Sequence, residues 1–159
     1  MKFVVVAVGH RVPEWVRAGF EEYARRLPRA AGLISFSASG ASRGSDPSPA
    51  AVQRLLEAEH ERIAAALPAR CYKVVLDERG TELSTPGLAG RMARWREEGR
   101  DVAFIIGGAD GTAPALKEEA DLLWSLSKLT LPHALVRVVL AEQLYRALSI
   151  LSGHPYHRA

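Results

Sequence analysis

The chain has 159 residues, 48% of them apolar and 25% charged, ordinary proportions for a globular protein that exclude wholesale disorder, collagen-like repeats and a membrane-embedded chain. Lys and Arg number 21 against 18 Asp and Glu, and the formal charge of +3 permits a nucleic-acid partner without establishing one. A chain of this length buries roughly 70% of its unfolded surface, enough for one core, and is expected to form a single domain over residues 1–159.

Phe3 to Val8 is β-branched and nearly continuous, as a parallel strand buried on both faces requires. The apolar run from Met1 is short for a signal peptide, and Gly9-His10-Arg11 stands where small cleavage-site residues belong. Pro13 opens a helix in which Trp15, Phe20, Tyr23 and Leu27 recur at helical spacing, and Pro28 follows it. Leu33 to Ser37 reads as a weak second strand. Ser37 to Ser48 is small and polar throughout and reads as a loop. Asp46-Pro47 reads as an N-cap followed by a first-turn proline, and Val52, Leu56, Ile63 and Leu67 form the stripe of the helix that follows.

Tyr72 to Asp77 is the next strand, with Glu78-Arg79-Gly80 as its turn. Thr85-Pro86 starts a helix with Leu88, Met92 and Trp95 on one face and Gly99 just past its end. Asp101 to Ile106 is a buried strand running into Gly107-Gly108-Ala109-Asp110-Gly111, and a short helix follows around Ala113 to Ala120. Leu126 to Leu131 is a strand or an ordered loop. Ala134 to Leu151 is the longest helix and is apolar nearly all round, with Val136, Leu140, Leu144, Leu148 and Leu151 on one side. One sheet in so small a domain covers one face of it, so a second subunit is the natural cover for the other. Gly153 and Pro155 end the helical run. Cys71 is the only cysteine, so no intrachain disulfide is available, and no apolar stretch approaches the ~20 residues of a membrane span. A soluble, cytoplasmic protein is expected.

Strands alternating with helices imply a mostly parallel sheet with helices on both faces, an α/β fold whose ligands sit beyond the carboxyl ends of the strands. That rule selects the segments after Asp77, after Ile106 and around Leu126 to Pro132. The glycine cluster after Ile106 lets a backbone approach a ligand and expose N–H groups, or is a plain tight turn. It is neither a dinucleotide fingerprint nor a P-loop. Asp77 and Asp110 are candidates for ribose hydroxyls or a cation, with Asp77 read first as a strand-end cap. Glu142 and Arg146 stand four apart on the last helix, the spacing of a simple ion pair, with Ser149 on the same polar seam. Arg137 falls inside an apolar arc, where a guanidinium needs an anionic partner from the protein or from an RNA phosphate. His154, Tyr156, His157 and Arg158 make a tail that suits an unstacked base and its phosphate, or a frayed terminus. The two tail histidines lack metal-ligand spacing and no metal is expected.

Three segments carry a resemblance. They are Ile105-Ile106-Gly107-Gly108-Ala109-Asp110-Gly111; Leu126-Ser127-Lys128-Leu129-Thr130-Leu131-Pro132-His133 leading to Arg137-Val138; and Glu142-Gln143-Leu144-Tyr145-Arg146-Ala147 with the closing Pro155-Tyr156-His157. With Val8-Gly9, Pro13 and Trp15, their order and spacing resemble the small bacterial methyltransferases of the SPOUT, or α/β-knot, superfamily, which act on N3 of pseudouridine-1915 in 23S ribosomal RNA. The resemblance implies a C-terminal trefoil knot, S-adenosyl-L-methionine as cofactor and a homodimer packed through the knot helices. It implies cofactor contacts at Leu76, Gly107, Gly108 and Leu126, Ser127, Lys128, Leu129, Thr130 and Leu131.

The chemistry adds further expectations. The imide proton on N3 must leave, so a base or a stabilising cation is needed, and His133, Arg137, His157 and Arg158 are available. Tyr156 and His157 are expected to close over the base beside the other subunit's cofactor, with Arg146, His154 and Arg158 on RNA. A charge of +3 is too small to clamp free RNA by phosphate contacts alone, so a preformed surface of the large subunit or assembled ribosome is the expected substrate. Two rivals remain: a nucleotide-binding enzyme using the glycine loop for phosphate, and a non-catalytic ribosome-associated RNA-binding α/β protein.

Overall fold

The computed structural model describes residues 1–9, 12–29, 33–38 (backbone only) and 45–158. In chain order the elements are β1 (Phe3–Val8), α1 (Glu14–Ala24), β2 (Leu33–Ala38), α2 (Pro49–Ala66), β3 (Tyr72–Glu82), α3 (Thr85–Glu98), β4 (Val102–Ile106), α4 (Pro114–Glu119), β5 (Leu122–Ser125) and α5 (His133–Ser152), closed by a 3-10 turn at Pro155–His157. The sheet runs β2-β1-β4-β3-β5 and every pairing is parallel. Alternation along the central strands sorts the core into two layers. Phe3, Val5 and Ala7 of β1 join Phe104 and Ile106 of β4 against Leu88, Met92 and Trp95 of α3 and Leu140, Leu144 and Ala147 of α5. Val4, Val6 and Val8 join Ala103 and Ile105 against Ile63 of α2 and Leu116 of α4. The uninterrupted apolar runs of β1 and β4 follow from burial on both faces.

Several sequence expectations need correction. Helix α1 ends at Ala24, short of Leu27, which is buried beyond its end. The N-cap of α2 is Ser48, not Asp46: the Ser48 hydroxyl accepts from the Ala51 N–H, Pro49 takes the first turn, and Asp46 instead accepts from the Ser48 N–H. The buried stripe of α2 is Ala51, Leu55, Glu59 and Ile63, so the face is rotated one residue from Val52 and Leu56. Residues 39–44 of the expected serine-rich loop lie outside the described residues, as do His10 and Arg11; Ser37 closes β2 with Ala38.

Two differences shape the functional end of the sheet. Glu78-Arg79-Gly80 does not terminate β3. Leu76 and Thr81 both pair with Trp124, so residues 77–80 bulge out of a strand that continues to Glu82. Gly80 is required there, because a Cβ would stand 2.6 Å from the Leu123 carbonyl carbon. The fifth strand is Leu122–Ser125, so Leu126 to Leu131 is an ordered loop beyond its carboxyl end. Among the described residues no helix is long and apolar enough to cross a membrane.

Candidate active site

Three chain segments, the β3 bulge and the stretches beyond the carboxyl ends of β4 and β5, meet around a cleft of about 500 Å³. From β3 come Leu76 and the bulged Asp77, Glu78 and Arg79; from the end of β4 come Ile106 and the loop 107–112; from the end of β5 come Leu126, Ser127, Leu129, Thr130 and Leu131, with His133 and Val136 of α5 at the rim. Eight of the nine expected cofactor residues therefore share one cavity. The exception is Lys128, which is exposed and does not line it.

The glycine loop after β4 and the loop after β5 shape the walls. Gly111 donates its N–H to the Gly108 carbonyl at 3.1 Å and has φ +82°, so the glycine loop doubles back within four residues. A Cβ on Gly107 would fall inside contact with the Gly111 carbonyl oxygen and 2.7 Å from Thr112 Cγ2. The opposite loop is pinned by its own polar groups. The Ser125 hydroxyl donates to the Ser127 carbonyl at 2.9 Å, the Leu129 N–H donates to Ser127 Oγ at 3.0 Å, and the Thr130 hydroxyl donates to Glu78 Oε2 at 3.0 Å. That last bond ties the loop to the β3 bulge. Leu129 is held with 73% of its surface exposed.

Asp77 is not a strand-end cap, because β3 resumes after the bulge that contains it, and its carboxylate is instead held by donors of the chain itself. Its Oδ1 accepts from the Arg79 N–H at 2.8 Å and its Oδ2 pairs with Lys117 Nζ at 2.7 Å. Burial pushes its carboxyl up, but Lys117 and the Arg79 N–H outweigh burial and hold it below the usual value. Lys117, Thr112 and Trp124 also line the cleft and were missed from sequence. The Thr112 hydroxyl and the Trp124 indole N–H are buried there without hydrogen-bond partners among the described residues.

The other expected residues lie elsewhere in the single chain. Of the four catalytic candidates, only His133 lines the cleft. Arg137 is buried, as its place in the apolar arc required, and no carboxylate pairs with it among the described residues. Its Nη2 donates to the Val8 carbonyl at 3.4 Å, its Nε has no partner among the described residues, and burial lowers its pKa. Tyr156 is folded onto its own α5: its hydroxyl donates to Glu142 Oε1 at 3.0 Å and its ring stands 4.5 Å from that of Tyr145. Burial first, then the Glu142 carboxylate and Tyr23, raise the Tyr156 phenol to about 12. Arg146 pairs with Glu142 at 2.6 Å and lies 4.8 Å over the Tyr156 ring. His154 accepts the Tyr156 N–H at Nδ1 and caps the 3-10 turn, His157 is half-buried with its Nδ1 unpartnered among the described residues, and Arg158 is exposed.

The family model described as "Predicted SPOUT methyltransferase" matches residues 1–157. A "Ribosomal RNA large subunit methyltransferase H" from Nitrosospira multiformis is 54% identical over 159 residues, covering 100% of both chains. One of the same name from Burkholderia mallei is 51% identical over 163 residues, again with 100% of both chains covered. Among solved structures, a probable methyltransferase from Bordetella pertussis superposes with a TM-score of 0.56 at 16% identity, covering 92% of this chain and 95% of that one, a likeness of fold. The chain belongs to the SPOUT methyltransferase family.

Proposed function

We propose that this chain is an S-adenosyl-L-methionine-dependent methyltransferase of large-subunit ribosomal RNA, acting as a single domain and as a homodimer in the cytoplasm. The finer assignment, N3 of pseudouridine-1915, follows the family resemblance. The observation that carries the reading is the cleft: about 500 Å³, walled by glycine main chain and by Leu76, Ile106, Leu126, Leu131 and Val136. Its size, and its mix of apolar side chains with polar groups such as Asp77, Ser127 and Thr130, suit an adenosine-bearing ligand. Full-length relatives that are named large-subunit ribosomal RNA methyltransferases give the same class.

The cofactor supplies an already activated methyl group. What the protein adds is alignment of the acceptor nitrogen and removal of its imide proton. His133, on the rim at the first turn of α5, is the catalytic candidate beside the cofactor, where its imidazole can take that proton. Tyr156 and His157 sit outside the cleft of their own chain, which supports a tail that works on the partner's cleft. Arg137, Arg146, His154 and Arg158 then present cation and hydrogen-bonding capacity to the RNA. The half-buried apolar residues Leu135 and Val139 of α5 support helix packing against a second copy, in the knotted arrangement the family fold implies.

The test uses ribosomal particles lacking the modification, labelled S-adenosyl-L-methionine and the intact protein. Mass spectrometry should find one added methyl on a pseudouridine of the large-subunit RNA, with particles modified faster than stripped RNA. No transfer to either substrate rejects the enzyme reading, and equal rates reject the preformed-surface reading. A folded monomer in sedimentation at micromolar concentration rejects the shared site.

A further inference from the structure

A second side chain bears on the cleft from outside it. Helix α2 packs its buried stripe Ala51, Leu55, Glu59 and Ile63 against the sheet, and the third member is a carboxylate only 6% exposed. Burying a charge among apolar neighbours is costly, and a leucine would satisfy the packing better. The Glu59 carboxyl lies beside the Gly108 backbone: a Cβ built on that glycine would meet Val8 Cγ1 at 3.3 Å and Glu59 Oε1 at 3.8 Å. Gly108 itself lines the cleft, so Glu59 and Val8 stand behind the wall on which the cofactor would rest. The loop needs support from elsewhere, because Gly107, Gly108 and Gly111 bring no side chains of their own and glycine loses the most freedom on ordering. Burial, then the nearby Asp110, push the Glu59 carboxyl up, while Arg62 pulls it down.

We propose that Glu59 is a positioning residue for the cofactor cleft, its buried carboxyl bracing the glycine loop 107–111 from the α2 side. The inference rests on the cleft being the cofactor site, and its test separates the two. Glu59→Leu keeps the volume and completes the apolar stripe, whereas Glu59→Gln keeps the polar reach. S-adenosylhomocysteine binding is measured by calorimetry, and amide hydrogen exchange of the ligand-free protein is followed along the chain.

Glu59→Leu should bind at least tenfold more weakly, with faster exchange confined to residues 108–112 and a melting temperature no lower than the parent's. Glu59→Gln should recover most of the affinity. Parent-like affinity and loop exchange in Glu59→Leu overturn the bracing role, and so does faster exchange spread over the whole sheet. If the parent protein itself fails to bind S-adenosylhomocysteine, the cofactor reading of the cleft falls, and the bracing of a cofactor wall falls with it. The exchange data still report, on their own, whether Glu59 holds the loop.

Discussion

The cleft and the C-terminal tail are built on opposite plans. The cleft is assembled at the ends of parallel strands: the β3 bulge and the loops after β4 and β5 line it, with glycines where chains come closest. The tail is assembled from side chains. Tyr156, Arg146, Glu142 and Tyr145 lock one another on the surface of α5, with Arg26 of α1 over the Tyr145 ring. Among the described residues, three segments of one chain line that cleft. A tail of the second kind keeps its aromatic, imidazole and guanidinium groups away from that cleft, and in the proposed homodimer it would meet the cleft of a second copy. Under the proposed function, cofactor affinity belongs to the strand ends and RNA affinity to the helix-borne tail.

The largest effect should come from attacking the cleft. Gly107→Val places a branched side chain against the Gly111 carbonyl and Thr112, both of which belong to the loop that must keep its shape. S-adenosylhomocysteine affinity should fall more than about a hundredfold, equivalent to ~3 kcal/mol by calorimetry. The tail cluster around Glu142 should survive, and a near-normal fluorescence of its tyrosines would show that the two regions are separable. Retained affinity would demote the glycine loop to a plain turn.

A middle-sized effect belongs to Arg137, which lies between the two regions. It is 7% exposed, hydrogen-bonded only to the Val8 carbonyl among the described residues, and has no carboxylate beside it. Replacing a buried charge that lacks a good partner by an apolar group of similar length is neutral or stabilising by about 1–4 kcal/mol. Arg137→Met should therefore raise the melting temperature of the protein while lowering methyl transfer to ribosomes. A lowered melting temperature would mean that the guanidinium finds its anion across a subunit interface, and would move Arg137 from catalysis to assembly.

What was legible in the sequence follows the same division. Val4-Val5-Val6 and Phe104-Ile105-Ile106 announce buried parallel strands through composition alone, and the rule that ligands sit at strand carboxyl ends then finds the cleft. The β3 bulge was misread because Glu78-Arg79-Gly80 has turn chemistry, and only pairing of both Leu76 and Thr81 with Trp124 reveals that the strand resumes. The rotated stripe of α2 escaped because a buried Glu59 breaks the apolar pattern that would have marked it. Strand β5 was missed because four residues give too little periodicity to separate Leu122–Ser125 from the loop after it. The Tyr156–Glu142 bond was invisible for another reason: the chain reverses at Gly153, φ +70°, and brings residues fourteen apart into contact.

The smallest effect tests whether the tail truly rests on its own helix. A free tyrosine phenol titrates at 10.0, whereas the fold holds Tyr156 to about 12 through burial and the Glu142 carboxylate. Between those values the unfolded chain has released the proton and the folded chain still binds it, so stability falls as pH rises. The contribution is intact below pH 10 and is lost as pH climbs through about 12. Tyr156→Phe removes the titration together with the hydrogen bond to Glu142, and at neutral pH it should cost about 0.5–1.5 kcal/mol in urea unfolding. The gap between parent and variant should then shrink from pH 10 towards 12, since only the parent carries the linked proton. A gap that is absent at neutral pH and flat above it would mean that the tail spends its time off α5. In that case its place is over the partner's cleft even before RNA arrives, and the division between a finished cleft and a waiting tail would no longer hold.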